Sequence, residues 1–218
     1  VGLLNAAAIT RLRVVPFIAT LGMLGVARGA AKWLAHQTTV EAPATWVSEL
    51  AVTFPTAAWL VFAPGVWIAL ALAALMGFVL RRTVFGRRVF ALGSSEAAAR
   101  ACGIAIERLK LAVYSIAGLF FGLAGVMQMS RLRQGDPTVA AGTELDVIAA
   151  VVIGGGSLNG GEGSVLGSMI GALVMAFLRN GSQQMGWPSH VQEMLIGAII
   201  VVAVAIDRWR HERRRGEA

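Results

Sequence analysis

Long apolar runs, divided by short joints in which the arginines collect, constrain this chain more than any other feature. A helix needs about 20 predominantly apolar residues to cross the hydrocarbon core of a bilayer. Six stretches approach that length: 14–35, 59–80, 110–130, 144–158, 162–180 and 192–207. The chain is 56% hydrophobic and only 14% charged, where a soluble domain carries about a quarter charged residues. Backbone polar groups in lipid must find partners within the protein, which for runs of this length means helix. The expectation is an all-α fold, a polytopic transmembrane helical bundle of about six membrane segments, forming one domain over 1–218. The fourth segment is short enough to be re-entrant, because it runs into 154-GGGSLNGGEG-163.

With the fourth segment counted as a crossing, the cations sort to two sides. All but five of the 19 Lys and Arg fall on one side: Arg11, Arg13, Arg81, Arg82, Arg87, Arg88, Arg100, Arg108, Lys110 and the arginines of 208–215. Arg28, Lys32, Arg131, Arg133 and Arg179 fall on the other. The positive-inside rule makes the crowded side cytoplasmic, and with it both termini, the 81–109 loop and the basic tail 208–218. The outer loops are then 36–58, 131–143 and 181–191, with Trp33, Trp46, Trp59 and Trp187 at or near their borders, as interfacial tryptophans are. Arg28 and Lys32 lie one helical turn apart near the outer end of the first segment and are read as snorkelling to the headgroups. The net charge of +7 belongs to this topology and to anionic lipid. It does not line one soluble face, which argues against a nucleic-acid partner. A lone cysteine, Cys102, excludes an internal disulfide.

Glycines recur at helical spacing: Gly25 with Gly29, Gly118 with Gly122, and Gly163, Gly167 and Gly171 in three steps. Small residues let helix backbones approach in lipid, so tight packing is the expected use. The run 154–163 lacks the lysine of a phosphate-binding loop and the strand–turn–helix setting of a dinucleotide site. It fits a bend at the cytoplasmic mouth of a pathway, and equally a tight turn between two helices. In 143-TELD-146, Thr143 is suited to cap a helix whose positive end meets Glu144 and Asp146. Arg131 and Arg133 are close enough in sequence to pair with Asp136 or with these acids.

The stretch 86-GRRVFALGSSEAAARACGI-104 is too polar to span a bilayer. Ser94 or Ser95 suits an N-cap, Glu96 the first turn, Arg100 the last turn and Gly103 the residue after a helix end. These signals predict about two helical turns over 95–102. Alanines at 97, 98, 99 and 101 make that helix slim enough to enter a groove on a partner protein, with Glu96 and Arg100 one turn apart to orient it.

The order of 16-PFIATLGMLGVARG-29, the 86–104 stretch, 144-ELDVIAAVVIGGGSLNGGEGSVLGSMIGAL-173 and 197-GAIIVVAVAIDRWR-210 resembles the permease subunit of bacterial ribose/xylose-type sugar ABC importers. The likeness covers nearly the whole chain and discriminates poorly among individual sugars. It implies that 86–109 is a cytoplasmic loop carrying a coupling helix, with Gly93, Ser95, Glu96, Ala98, Arg100 and Gly103 at the matching positions. It also implies a second permease subunit, two ABC ATPase domains on separate chains, a periplasmic sugar-binding protein, and residence in the bacterial inner membrane. The permease itself would hold no cofactor, since ATP binds to the partner.

Two departures stand out. Ala6 occupies a position where the family commonly has glycine. The segment 1-VGLLNAAAITRLRVVPFIATLG-22 resembles an internal loop of the family, so N-terminal spans are expected to be missing from this chain.

No Ser/His/Asp set, metal-spaced histidine cluster or intramembrane carboxylate pair is present, and His36, His190 and His211 fall in loops or the tail. The chain is therefore expected to be a transport subunit and not an enzyme. Sugars offer hydroxyls and apolar ring faces, which makes Phe17, Thr20 and Asn159 the candidate pathway residues. A branched-chain amino acid permease is the nearest alternative; a stand-alone channel, or a scaffold that only recruits a partner, is the rival of a different class.

Overall fold

Proline at 16 and at 64 opens two long helices, as expected where the first-turn amide has no partner to lose. The computed structural model describes residues 1–12, 14–41 and 63–216, with side chains through 205. Arg13, Trp46, Trp59, the start of the 59–80 segment and the side chains of Arg208, Arg210, His211 and Arg213–Arg215 lie outside the described residues.

The chain divides into two compact units, residues 1–72 with 103–139 and residues 73–102 with 140–218. The first holds α1 (Gly2–Arg11), α2 (Pro16–Leu34), β1 (Val40–Glu41), the start of α3 (Pro64–Arg82), α6 (Ile106–Leu132) and β2 (Gln134–Gly135). The second holds the end of α3, then α4 (Val84–Ser94), α5 (Glu96–Ala101), α7 (Thr143–Ile153), α8 (Val165–Gln184) and α9 (Ser189–Gly216). Three described helices, α3, α6 and α8, are long and apolar enough to cross a membrane, and Ser189–Ala205 is a shorter apolar stretch. At about 1.5 Å per residue, the 11 residues of α7 reach only about 16 Å, half of a hydrocarbon core. The chain is thus an all-helical, multi-pass membrane protein.

In the first unit, α1 packs on α6, burying Asn5, Ala6 and Ile9 from one and Ile106 and Leu109 from the other. A Cβ on Gly2 would stand 2.9 Å from Gly118 Cα, so the two backbones touch. The segment ahead of the first expected span is therefore helical over Gly2–Arg11, an element the sequence reading did not include. The helix was hidden because it buries small residues and only one turn-spaced aliphatic, Ile9. β1 pairs antiparallel with β2, Val40 opposite Gly135 and Glu41 opposite Gln134, which sets the ends of α2 and α6 side by side. Arg133 ends α6 in the left-handed conformation, φ 54°. Asp136 accepts from the Thr138 hydroxyl (2.6 Å) and amide (2.7 Å), closing a turn after β2. Among the described residues, Gly25, Gly29 and Gly122 meet no neighbour at their Cβ positions, whereas Gly118 of those pairs packs against Gly2.

In the second unit, α7 and α8 form an antiparallel hairpin with α9 against α7. Its core is Ala149, Ala150, Met175 and Ile196, flanked by Ile153, Leu178 and Ile200. The contact is backbone on backbone: a Cβ on Gly154 would lie 2.7 Å from Ser168 N, and one on Gly171 2.8 Å from the Ala150 carbonyl carbon. Gly167 and Gly171 therefore do the packing expected of them. Gly163 lies before α8 with φ 147° and is not part of a helical ridge. At the far end of the hairpin, Asp146 and Arg179 form an ion pair at 2.6 Å. The partner of Asp146 is thus Arg179, distant in sequence, and not Arg131 or Arg133. Gly142 (φ 85°) and not Thr143 occupies the N-cap of α7, without a side-chain hydrogen bond. α9 is a single helix from 189 to 216, so the basic tail continues the last segment without a break.

Candidate coupling site

Between the apolar helix α3 and the hairpin, the second unit builds a polar helical corner. The 81–109 loop holds more structure than the single helix expected there. α4 occupies 84–94, capped by Thr83, whose hydroxyl accepts from Gly86 N at 3.3 Å and donates to the Val79 carbonyl at 2.7 Å. One residue therefore ends α3 and starts α4. Gly86 makes the turn possible, since a side chain there would run into the Leu80 carbonyl. Along α4, Phe85, Val89 and Leu92 are half-buried at i, i+4, i+7, while Arg87 and Arg88 are exposed. That amphipathic pattern is present in the sequence but interrupted by the adjacent Arg87 and Arg88.

Ser95 breaks the helical path with φ −162°, ψ 112° and caps α5, accepting from Ala98 N at 3.2 Å. Ser94 instead donates to the Phe90 carbonyl at 3.1 Å, which settles the choice of cap. Cys102 closes the last turn and Gly103 follows at φ 76°. Glu96 and Arg100 approach to 3.4 Å with side chains 48% and 69% exposed. Such a pair is worth about 0.3–0.5 kcal/mol, so it orients the helix more than it stabilises it. Ala99 is buried, whereas Ala97, Ala98 and Ala101 are exposed. The result is a capped, slim helix with an open alanine face, adjoining α4, with Ala99 as its buried position.

The glycine run meets this corner directly. A Cβ on Gly93 would lie 2.5 Å from Gly161 N, and one on Gly160 2.7 Å from the Gly93 carbonyl oxygen. Gly160 and Gly161 hold φ 91° and 79°, where side chains are disfavoured even without a neighbour. No sequence signal paired these two segments, because glycine contacts leave no hydrophobic pattern.

Of the predicted site residues, Gly93, Ser95, Glu96, Ala98 and Arg100 lie together on this corner, and Gly103 follows them in the chain. Phe17 and Thr20 lie on α2 in the first unit. Phe17 is 64% exposed. The Thr20 hydroxyl donates to its own helix, at the Phe17 carbonyl (3.0 Å) and the Pro16 carbonyl (3.1 Å). Asn159 is exposed on the glycine loop, its backbone N–H donating to Ser157 Oγ at 3.3 Å. The three pathway candidates are not gathered within either unit.

Residues 1–204 match the family described as branched-chain amino acid transport system / permease component. The chain is 37% identical over 207 residues to the ribose import permease protein RbsC of Escherichia coli, covering 95% of this chain and 64% of that protein. It is 36% identical over 226 residues to the L-arabinose ABC transporter permease protein AraH of Azospirillum brasilense, covering 99% and 62%. A shorter match, 130 residues at 49%, joins it to the xylose transport system permease protein XylH of Escherichia coli, covering 60% and 33%. The chain thus spans a little under two thirds of the first two relatives' lengths. No solved structure matches it.

Proposed function

The chain belongs to the branched-chain amino acid transport system permease family, and on that premise we propose that it is the membrane-spanning permease of an ATP-driven importer for a simple sugar of the ribose/xylose kind. The observation that carries this reading is the likeness to the ribose import permease across 95% of the chain. The relative from Azospirillum brasilense bears arabinose in its name, and another from Rhizobium meliloti, a fructose import permease, is 34% identical over 212 residues.

ATP binding and hydrolysis occur on two separate ABC ATPase domains, which grip α5 through its exposed alanine face and are oriented by Glu96 and Arg100. Gly93 lets the corner sit close to the hairpin, Ser95 and Gly103 fix the two ends of the helix, and Ala98 keeps the docking face slim. A second permease subunit completes the channel and a periplasmic binding protein delivers sugar to the outer side. The arginine-rich joints and tail face the cytoplasm, which makes the corner available to the ATPase. The β1–β2 pairing and the Asp146–Arg179 pair support this sorting, since each joins segments assigned to the same side. Alternating access requires two packings of these helices and no catalytic side chain. Phe17 offers a ring face for a sugar, Thr20 a hydroxyl, and Asn159 an amide at the cytoplasmic mouth.

A branched-chain amino acid is the second reading, favoured by the description of the matching family alone. Uptake into vesicles carrying the intact complex separates the two. Labelled ribose, xylose or arabinose should accumulate only with ATP and should not be displaced by leucine. Leucine accumulation without sugar uptake would reverse the assignment. Sugar flux without any ATPase would make the protein a facilitator.

A further inference from the structure

We propose that the glycine loop 154–163 is a mechanical relay: it receives displacement of the α4–α5 corner at Gly160 and Gly161, and the α7–α8 hairpin carries that displacement to the opposite end. The inference rests on the reading of α5 as the ATPase-docking helix and adds the route by which its motion leaves the corner. Three observations on the second unit support it.

The junction between corner and loop has no side-chain cushion. Gly93 meets Gly160 and Gly161 backbone to backbone, and a Cβ on Gly161 would meet Ser94 Oγ and lie 2.9 Å from Ser94 Cα. Motion of the corner toward the loop has no soft rotamer to absorb it.

The loop is closed on itself despite its glycines. Ser157 N donates to the Glu162 carbonyl at 3.2 Å and Gly160 N to the Ser157 carbonyl at 3.2 Å. Gly155 N and Gly156 N donate to the Val152 and Val151 carbonyls at 2.9 and 2.8 Å. A hydrogen-bonded knot of this kind moves as a piece.

The hairpin beyond is tied at both ends. Ser164 caps α8 by accepting from Gly167 N at 3.0 Å, and the interdigitated Gly154, Gly167, Gly171 and Ala150 lock α7 to α8. The Asp146–Arg179 pair at 2.6 Å closes the far end. The 20 residues of α8 reach about 30 Å, the thickness of the hydrocarbon core. Gly93, Gly160 and Gly161 are on this account positioning residues that act through the hairpin.

The test measures sugar transported per ATP hydrolysed in the intact complex. Gly93→Ala adds one methyl at the junction. Gly181→Ala adds one to a helical glycine of α8 whose Cβ position is open. The expected result is that the transport-to-hydrolysis ratio of Gly93→Ala falls about tenfold, with Gly181→Ala unchanged. Gly161→Ala and Gly155→Ala form a second pair. Both sit at positive φ, 79° and 83°, but only Gly161 has a neighbour. The ratio should fall further for Gly161→Ala than for Gly155→Ala.

If the junction variants do not insert, the wild-type complex decides. A non-hydrolysable ATP analogue should change amide exchange across both 94–101 and 155–163. Exchange altered at 94–101 alone, or a Gly93→Ala complex as tightly coupled as wild type, would overturn the relay while leaving the docking assignment intact. A wild-type complex that binds no ATPase would remove the docking assignment, and the relay with it.

Discussion

Removing Arg179 isolates the bond that closes the α7–α8 hairpin. Asp146 is the more enclosed partner, its side chain 17% exposed against 47% for Arg179, and the ion pair joins them at 2.6 Å. Asp146 Oδ1 is buried and has no hydrogen-bond partner among the described residues. The carboxylate therefore depends on one guanidinium. Breaking a fully buried pair from one side costs about 3–5 kcal/mol, because a charge is left without compensation. Arg179 is nearly half exposed and exchanges part of its interaction for water, which lowers the expected cost of Arg179→Met to about 2 kcal/mol. Removing both charges, as Asp146→Leu with Arg179→Met, leaves nothing stranded and should recover more than half of that loss. Thermal unfolding of the detergent-solubilised protein reads the difference. At about 2–4 °C per kcal/mol for a chain of this size, Arg179→Met should melt about 4–8 °C lower and the double variant within about 3 °C of wild type. An Arg179→Met protein that melts with the wild type would show that the pair holds nothing. A double variant as unstable as the sum of the two single variants would show that the carboxylate was never stranded.

Three further outcomes follow from single contacts. Ser95→Ala removes the 3.2 Å cap of α5, worth about 1 kcal/mol of local helix stability, so exchange of the 98–101 amides should quicken about fivefold while insertion is unchanged. Gly171→Val places bulk against the Ala150 backbone, and overpacking of about 1–3 kcal/mol should lower the melting temperature, whereas Gly122→Val in open space should not. The Thr138 hydroxyl, with help from the Thr138 amide, holds the Asp136 carboxyl below the ordinary carboxylate range. The turn is therefore supported above the unfolded carboxylate value and loses that support as pH falls through the depressed folded value. Thr138→Val should move the Asp136 titration upward in a carboxyl-edited NMR series, and an unmoved titration would show that the hydroxyl is not the cause.

What could be read from the sequence, and what could not, divides along the kind of contact involved. Hydrophobic runs and caps act locally, so α2, α6 and α8 lie close to the expected 14–35, 110–130 and 162–180. For the same reason Ser95, Glu96, Arg100 and Gly103 outline α5 from side-chain chemistry within one or two turns. Contacts between distant segments leave weaker traces. Arg179 stands 33 positions beyond Asp146, and nothing in 143-TELD-146 announces it, whereas Arg131 and Arg133 were nearer in sequence to Asp146. α1 carries little apolar signal, because beside Ile9 it buries only Asn5 and Ala6 and approaches α6 through Gly2 and Gly118.

The same blindness conceals the junction of Gly93 with Gly160 and Gly161, and there it has a physical consequence. A helix held by large apolar side chains can shift by exchanging rotamers, so its neighbours need not follow. A helix seated on bare backbone, at spacings where one methyl group would not fit, has no such freedom. Glycine at these positions is therefore not a mark of looseness. Positive φ at 160 and 161 sets the shape of the loop, close approach at 93 sets its distance from the corner, and internal hydrogen bonds remove the flexibility that glycine otherwise brings. A segment whose composition reads as soft is by these contacts closely fitted between its polar corner and its apolar hairpin.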